Sequence, residues 1–170
     1  MAASPRPPSL LALPSYLLSM LAAYGRRHLE AVLAEHDLVL IHNAILAALA
    51  DFGPQSQQQL ADSLAFDKSH LVARIDQLQR RGLVTRSQDP ADRRRNQIAL
   101  TPAGRELAEV LRAAGQESQR GFLAALSSAE QETLISLLRR ALDANDATRG
   151  AASDEATPEP ATHDQPIPGE

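Results

Sequence analysis

Between Ser56 and Leu100 the chain carries two short helix signals, a three-residue break, a glycine stop and two short strand signals. That order constrains the fold more than any other feature. Ser56-Gln57-Gln58-Gln59 is a capping box: the serine oxygen accepts the amide of Gln59, whose side chain reaches back. Leu60, Ala61 and Leu64 then follow on a short helix. Ala65-Phe66-Asp67 makes a tight turn, with Asp67 as the N-cap of a further helix, Lys68 to Arg81, closed by Gly82. Leu83-Val84-Thr85-Arg86 and Gln97-Ile98-Ala99-Leu100 read as strands around the loop 87–96, which holds Arg93-Arg94-Arg95. Two short helices on a tight turn, followed by a hairpin with a basic tip, form a winged helix-turn-helix.

The Lys68–Arg81 helix has two unlike faces. Leu71, Ile75 and Leu78 share one side and must face the core. The other presents Ser69, His70, Ala73, Gln77 and Arg80, with Val72 at the margin. Small and hydrogen-bonding groups with few acids suit a major groove. Lys68 sits at the helix N-terminus, where phosphate contacts are common. Guanidinium groups on a narrow wing can enter the minor groove, with Asp92 holding an arginine through a charge-assisted hydrogen bond. The expected DNA contacts are Ser56, Lys68, Ser69, His70, Val72, Ala73, Gln77, Asp92, Arg93, Arg94 and Arg95.

Charge supports this reading once its distribution is examined. The 170-residue chain has a formal charge of −4. Yet residues 55–105 hold nine basic and five acidic side chains, a balance of +4, while residues 143–170 hold seven acidic and one basic, a balance of −6. A homodimer would carry two basic regions able to hold a polyanion.

Flanking signals are helical. Pro14 and Ser15 open a helix to about Glu35, with Leu17, Leu18, Leu21, Tyr24, His28, Val32 and Leu33 at spacings of three and four. A second, about Leu38 to Asp51, stops at Gly53-Pro54. A long helix begins near Pro102 and runs through Leu107, Val110 and Leu111 to about Ala125. Ser127-Ser128-Ala129-Glu130 caps a last helix with Leu134, Ile135, Leu138 and Leu142. The fold class is mainly α with a small β-hairpin wing, in the order α-α-α-α-β-β-α-α. Residues 1–13 read as a flexible arm, and 146–170, rich in Pro, Ala, Asp and Glu, as a disordered acidic tail.

Other classes are disfavoured. No cysteine is present, which removes disulfides, thiolate nucleophiles and Cys-based zinc sites. Ser, His and Asp occur without a nucleophile elbow, phosphate-cradling glycine loop or paired-acid motif, so no enzyme is expected. His28, His36 and His42 with Glu30 or Glu35 fit no standard ligand spacing, so neither metal nor cofactor is expected. No apolar run is long enough for a membrane span. The apolar stretch Leu10–Ala23 after Arg6 is interrupted by Pro14, Ser15 and Tyr16, and the chain is expected to be cytoplasmic.

Several of these residues resemble a known family. Leu60-Ala61-Asp62-Ser63-Leu64, Asp67-Lys68-Ser69, Leu78, Arg81-Gly82-Leu83-Val84, Arg86, Asp92-Arg93-Arg94 and Leu100-Thr101-Pro102-Ala103-Gly104 are similar in order and spacing to the MarR family of transcriptional regulators. Leu126-Ser127-Ser128-Ala129-Glu130 is similar to the opening of that family's last helix. The resemblance implies N-terminal dimerisation and pocket helices (14–54), a DNA-binding lobe (55–101) and C-terminal dimerisation helices (102–145). It further implies a homodimer on a palindromic operator, acting as a repressor relieved by a small phenolic or anionic ligand. Candidate ligand contacts are Tyr24, Arg27, His28, His42 and Asn43. Ala65 stands where the family often has glycine, Ala73-Arg74 where an arginine then an apolar residue is frequent, and His70 where threonine is common. The alternative is a winged-helix adaptor whose acidic tail docks a protein partner.

Overall fold

The computed structural model describes residues 5–88 and 96–155, apart from the side chains of Lys68 and of 149–155. Its elements are α1 (Pro8–Leu11), α2 (Pro14–Glu35), α3 (Leu40–Phe52), β1 (Gln55–Ser56), α4 (Gln57–Leu64), α5 (Lys68–Arg80), β2 (Val84–Gln88), β3 (Asn96–Leu100), α6 (Pro102–Phe122) and α7 (Ser128–Glu155). The chain divides into two compact units, 1–124 and 125–170.

Three helices of the first unit end in the same way. Each leaves one residue in the left-handed region: Asp37 (φ 49°), Ala65 (φ 53°) and Gly82 (φ 67°). The amide one residue later closes a six-residue ring onto the helix: Leu38 on the Leu33 carbonyl, Phe66 on Ala61, and Leu83 on Leu78. Only the third seat holds glycine, the residue that takes this conformation without steric cost. Both expected capping boxes form. Ser56 N–H donates to Gln59 Oε1 at 2.8 Å and Gln59 N–H to Ser56 Oγ at 3.2 Å. Ser127 and Glu130 make the same reciprocal pair at the start of α7.

The core of the first unit lies where the apolar spacings put it. Leu33, Ile45, Leu46, Leu60, Leu71, Ile75, Leu78, Val84, Ile98 and Leu111 are fully buried. Each such side chain contributes roughly 1.5–3 kcal/mol relative to exposure. β3 is the central strand, with β1 and β2 antiparallel on either side, in register Gln55↔Ile98 and Val84↔Leu100. The Leu100–Gly104 stretch locks this sheet to α6. Thr101 Oγ1 donates to the Gly82 carbonyl at 2.7 Å and accepts the Gly104 amide at 3.0 Å. A Cβ on Gly104 would stand 1.9 Å from the Leu83 carbonyl oxygen, so only glycine allows this approach.

The structure corrects the expected boundaries in four places. Residues 8–11, inside the expected flexible arm, form the helical turn α1, and Arg6 donates to the Tyr24 hydroxyl at 3.0 Å. Gln55–Ser56 pairs with β3, making three strands rather than two, a pairing too short to leave an alternation signal. α3 starts at Leu40 because the left-handed Asp37 delays it. α7 continues through Glu155, ten residues into the expected disordered tail. Alanines 144, 147, 151 and 152 favour helix there. Asn145 and Thr148 side chains return hydrogen bonds to the carbonyls four residues earlier. Among the described residues no single helix is long and apolar enough to cross a membrane.

Candidate nucleic-acid interface

The exposed side of α5 begins at its cap. Asp67 Oδ1 accepts the Ser69 amide at 2.7 Å and the Ser69 hydroxyl at 2.5 Å. These donations from Ser69 hold the Asp67 carboxyl below the usual carboxylate range. They also commit the Ser69 hydroxyl hydrogen, leaving its lone pairs as acceptors. His70 and Ala73 are exposed on the same helix, and Lys68 is its first residue. Ser56 and Val72, both half-buried, line an open cleft of about 720 Å³ with Gln57, Asp76, Arg86 and Asn96. Ser56, Ser69, His70, Val72 and Ala73 therefore lie on or beside the α4–α5 surface. Asp92, Arg93, Arg94 and Arg95 fall in 89–95, outside the described residues, on the connection between β2 and β3.

Gln77 departs from the expected outward face. It is half-buried, and its Oε1 lies 2.9 Å from His42 Nε2 and accepts Arg74 Nη1 at 3.1 Å. Helical periodicity placed Gln77 beside His70 and Ala73. A tertiary partner on α3, which no local pattern reveals, turns it inward.

Two side chains that sequence reasoning did not select as site residues hold the wing against α5. Arg86 Nη1 on β2 pairs with Asp76 Oδ1 at 2.5 Å, and both side chains are partly exposed. Strand alternation carried the signal, since Arg86 lies two residues after buried Val84 and so points to the same side. Arg86 Nε and Nη2 are buried with no hydrogen-bond partner among the described residues.

The five candidate ligand residues do not share one cavity among the described residues. Tyr24 and His28 are exposed on α2, with the Arg27 guanidinium 5.0 Å from the centre of the Tyr24 ring. His42 is buried and borders a cavity of about 440 Å³ with Asp37, Arg74, Gln77, Arg80 and Arg81. Asn43 faces a different cavity, also about 440 Å³, lined by Leu29, Asp51, Ala108, Glu109 and Arg112. Among the described residues no group of three or more metal-ligating side chains comes together.

The sequence model of the MarR family matches residues 42–95. The chain is 36% identical over 96 residues to a putative transcriptional regulatory protein for the hcr operon of Thauera aromatica, covering 56% of this chain and 58% of that one. It is 32% identical to the transcriptional regulator HosA of Escherichia coli O111:H-, covering 64% of this chain and 80% of HosA. Among solved structures it is similar to BpsR of Bordetella bronchiseptica, described with the regulation of its DNA binding by 6-hydroxynicotinic acid. That match has 27% identity and a TM-score of 0.69, over 82% of this chain and 99% of that one.

Proposed function

The chain belongs to the MarR family of transcriptional regulators, and from that premise we propose that it is a homodimeric repressor of palindromic operators, relieved by a small anionic or phenolic ligand. The observation that carries this reading is the exposed N-terminal part of α5. There Ser69, His70 and Ala73 are exposed, within the stretch of the chain that is net basic. Hydrogen-bonding groups on a rigid helix read base edges, and the surrounding cations bind phosphate. Arg93, Arg94 and Arg95 extend the contact from the wing to the adjacent groove, and Asp92 positions an arginine for it.

Dimerisation is supported by apolar side chains that each unit leaves uncovered. Leu10, Leu11, Leu13, Leu17, Leu18 and Leu21 are exposed in the first unit, and Ile135, Leu137, Leu138 and Leu142 in the second. Exposed apolar side chains in such number on each unit suit an interface. Segments 14–54 and 102–145 accordingly supply dimerisation, and 55–101 reads DNA. A carboxylate or phenol reaching Tyr24, Arg27, His28, His42 or Asn43 would use dimer surfaces to complete its pocket, since those residues are dispersed within one chain. Such a regulator works in the cytoplasm, beside its operator.

Selection of duplexes from a random library by the full chain, with sedimentation of the free protein, tests this. A two-fold symmetric site and a dimer at micromolar concentration are expected. A monomer that enriches no sequence would overturn the reading.

A further inference from the structure

We propose that His42 is a positioning residue of the DNA-reading lobe: the neutral ring joins the start of α3, through the Val39 amide, to α5, through Gln77, and protonation breaks the Val39 side of that joint. The proposal rests on the DNA-reading role of α5 and adds a residue that touches no DNA.

The hydrogen bonds assign the ring's state. His42 sits in the first turn of α3, buried. Its Nδ1 accepts the Val39 amide at 3.3 Å. The ring hydrogen is therefore on Nε2, which donates to Gln77 Oε1 at 2.9 Å. Arg74 Nη1 uses the other lone pair of Gln77 Oε1 at 3.1 Å. One imidazole thus ties the first turn of α3 to the C-terminal part of α5. A second proton would put an Nδ1–H against the Val39 N–H and strip that amide, otherwise an orphan at a helix start, of its acceptor.

The surroundings oppose that proton. From α5 come Arg74, Arg80 and, at its end, Arg81; from the α2–α3 turn comes Asp37. Three cations face one carboxylate around the cavity. Arg81 Nη1 also donates to the Asp37 carbonyl at 2.9 Å, a second tie between the same parts of the fold. Burial, with Arg74 and Arg81, pushes the His42 imidazole below its ordinary pKa, against the raising effect of the Gln77 bond. The tie is complete above the ordinary histidine range, and its contribution is lost as pH falls below that range.

The test compares wild type with His42→Gln, whose amide can donate to Gln77 but does not titrate, and with His42→Ala, Gln77→Ala and the double alanine variant. Affinity for a duplex selected by wild type at pH 7.5 is measured from pH 8 to 5.5. His70 is present in every variant, so differences between them isolate His42. Between pH 7.5 and 5.5 wild type should weaken several-fold more than His42→Gln. At pH 7.5 the double variant should bind no worse than His42→Ala. Nitrogen-15 spectra should show the Nε2–H tautomer, with Val39 and Gln77 signals moving at the His42 midpoint. A His42→Gln profile parallel to wild type, additive losses, or an Nδ1–H tautomer would overturn this proposal alone. A wild type that selects no duplex would overturn the DNA-reading assignment, and this proposal with it.

Discussion

Arg86 on β2 and Asp76 on α5 meet at 2.5 Å, so the wing is ion-paired to the helix beside it. Removing one partner leaves the other partly buried and alone, which costs more than the pair is worth in net stability. Arg86→Ala should lower unfolding free energy by about 1–3 kcal/mol in urea. Asp76→Ala combined with Arg86→Ala should cost less than the sum of the two. Additive losses would mean that the pair carries no coupling.

Gly104 accommodates the Leu83 carbonyl at a distance no Cβ tolerates. Gly104→Ala must push α6 off the sheet, and a loss of about 3 kcal/mol in chemical unfolding is expected. A loss below about 0.5 kcal/mol, the scatter of ordinary surface changes, would show that α6 shifts freely.

Ala65 occupies a left-handed seat that Gly82 fills without strain at the end of α5. Ala65→Gly should therefore raise stability by about 1 kcal/mol, and Gly82→Ala should lower it by at least as much. Thermal melts of the two variants, moving in opposite directions, are the check.

The Asp67 cap has a pH signature. Ser69 donations hold its carboxyl below the usual range, so the stabilisation is present above the unfolded carboxylate pKa. It is lost as pH falls through the folded value. The melting-temperature difference between wild type and Asp67→Ala should be full at pH 7 and shrink below about pH 4, near the unperturbed carboxylate value. A constant difference would show that the ionised cap is not the source.

Local patterns were legible wherever one segment carried its own partner. Both capping boxes, the Asp67 cap, the Gly82 stop and the inward face of α5 follow from residues within one or two turns of each other. What escaped was tertiary. Gln77 reads as a groove-facing residue until His42, 35 positions away, captures it. Arg86 is unremarkable until β2 lies against Asp76. The helix through Glu155 was hidden by acidic, Pro-rich composition farther along, which masked a local run of alanines. The ligand candidates were chosen for polarity on apolar helices, but Tyr24 stacks with Arg27, His42 bonds Gln77 and Asn43 faces another cavity.

Salt dependence of duplex binding tests the central claim most directly. A protein that neutralises several phosphates releases their counterions, and its log affinity falls linearly with log salt concentration. The full chain on its selected duplex should show a steep negative slope. Lys68→Ala and Arg94→Ala should each reduce that slope by about one and weaken all sequences alike, whereas His70→Ala should change which sequence is preferred. A slope near zero, or one that neither cation variant alters, would contradict the account.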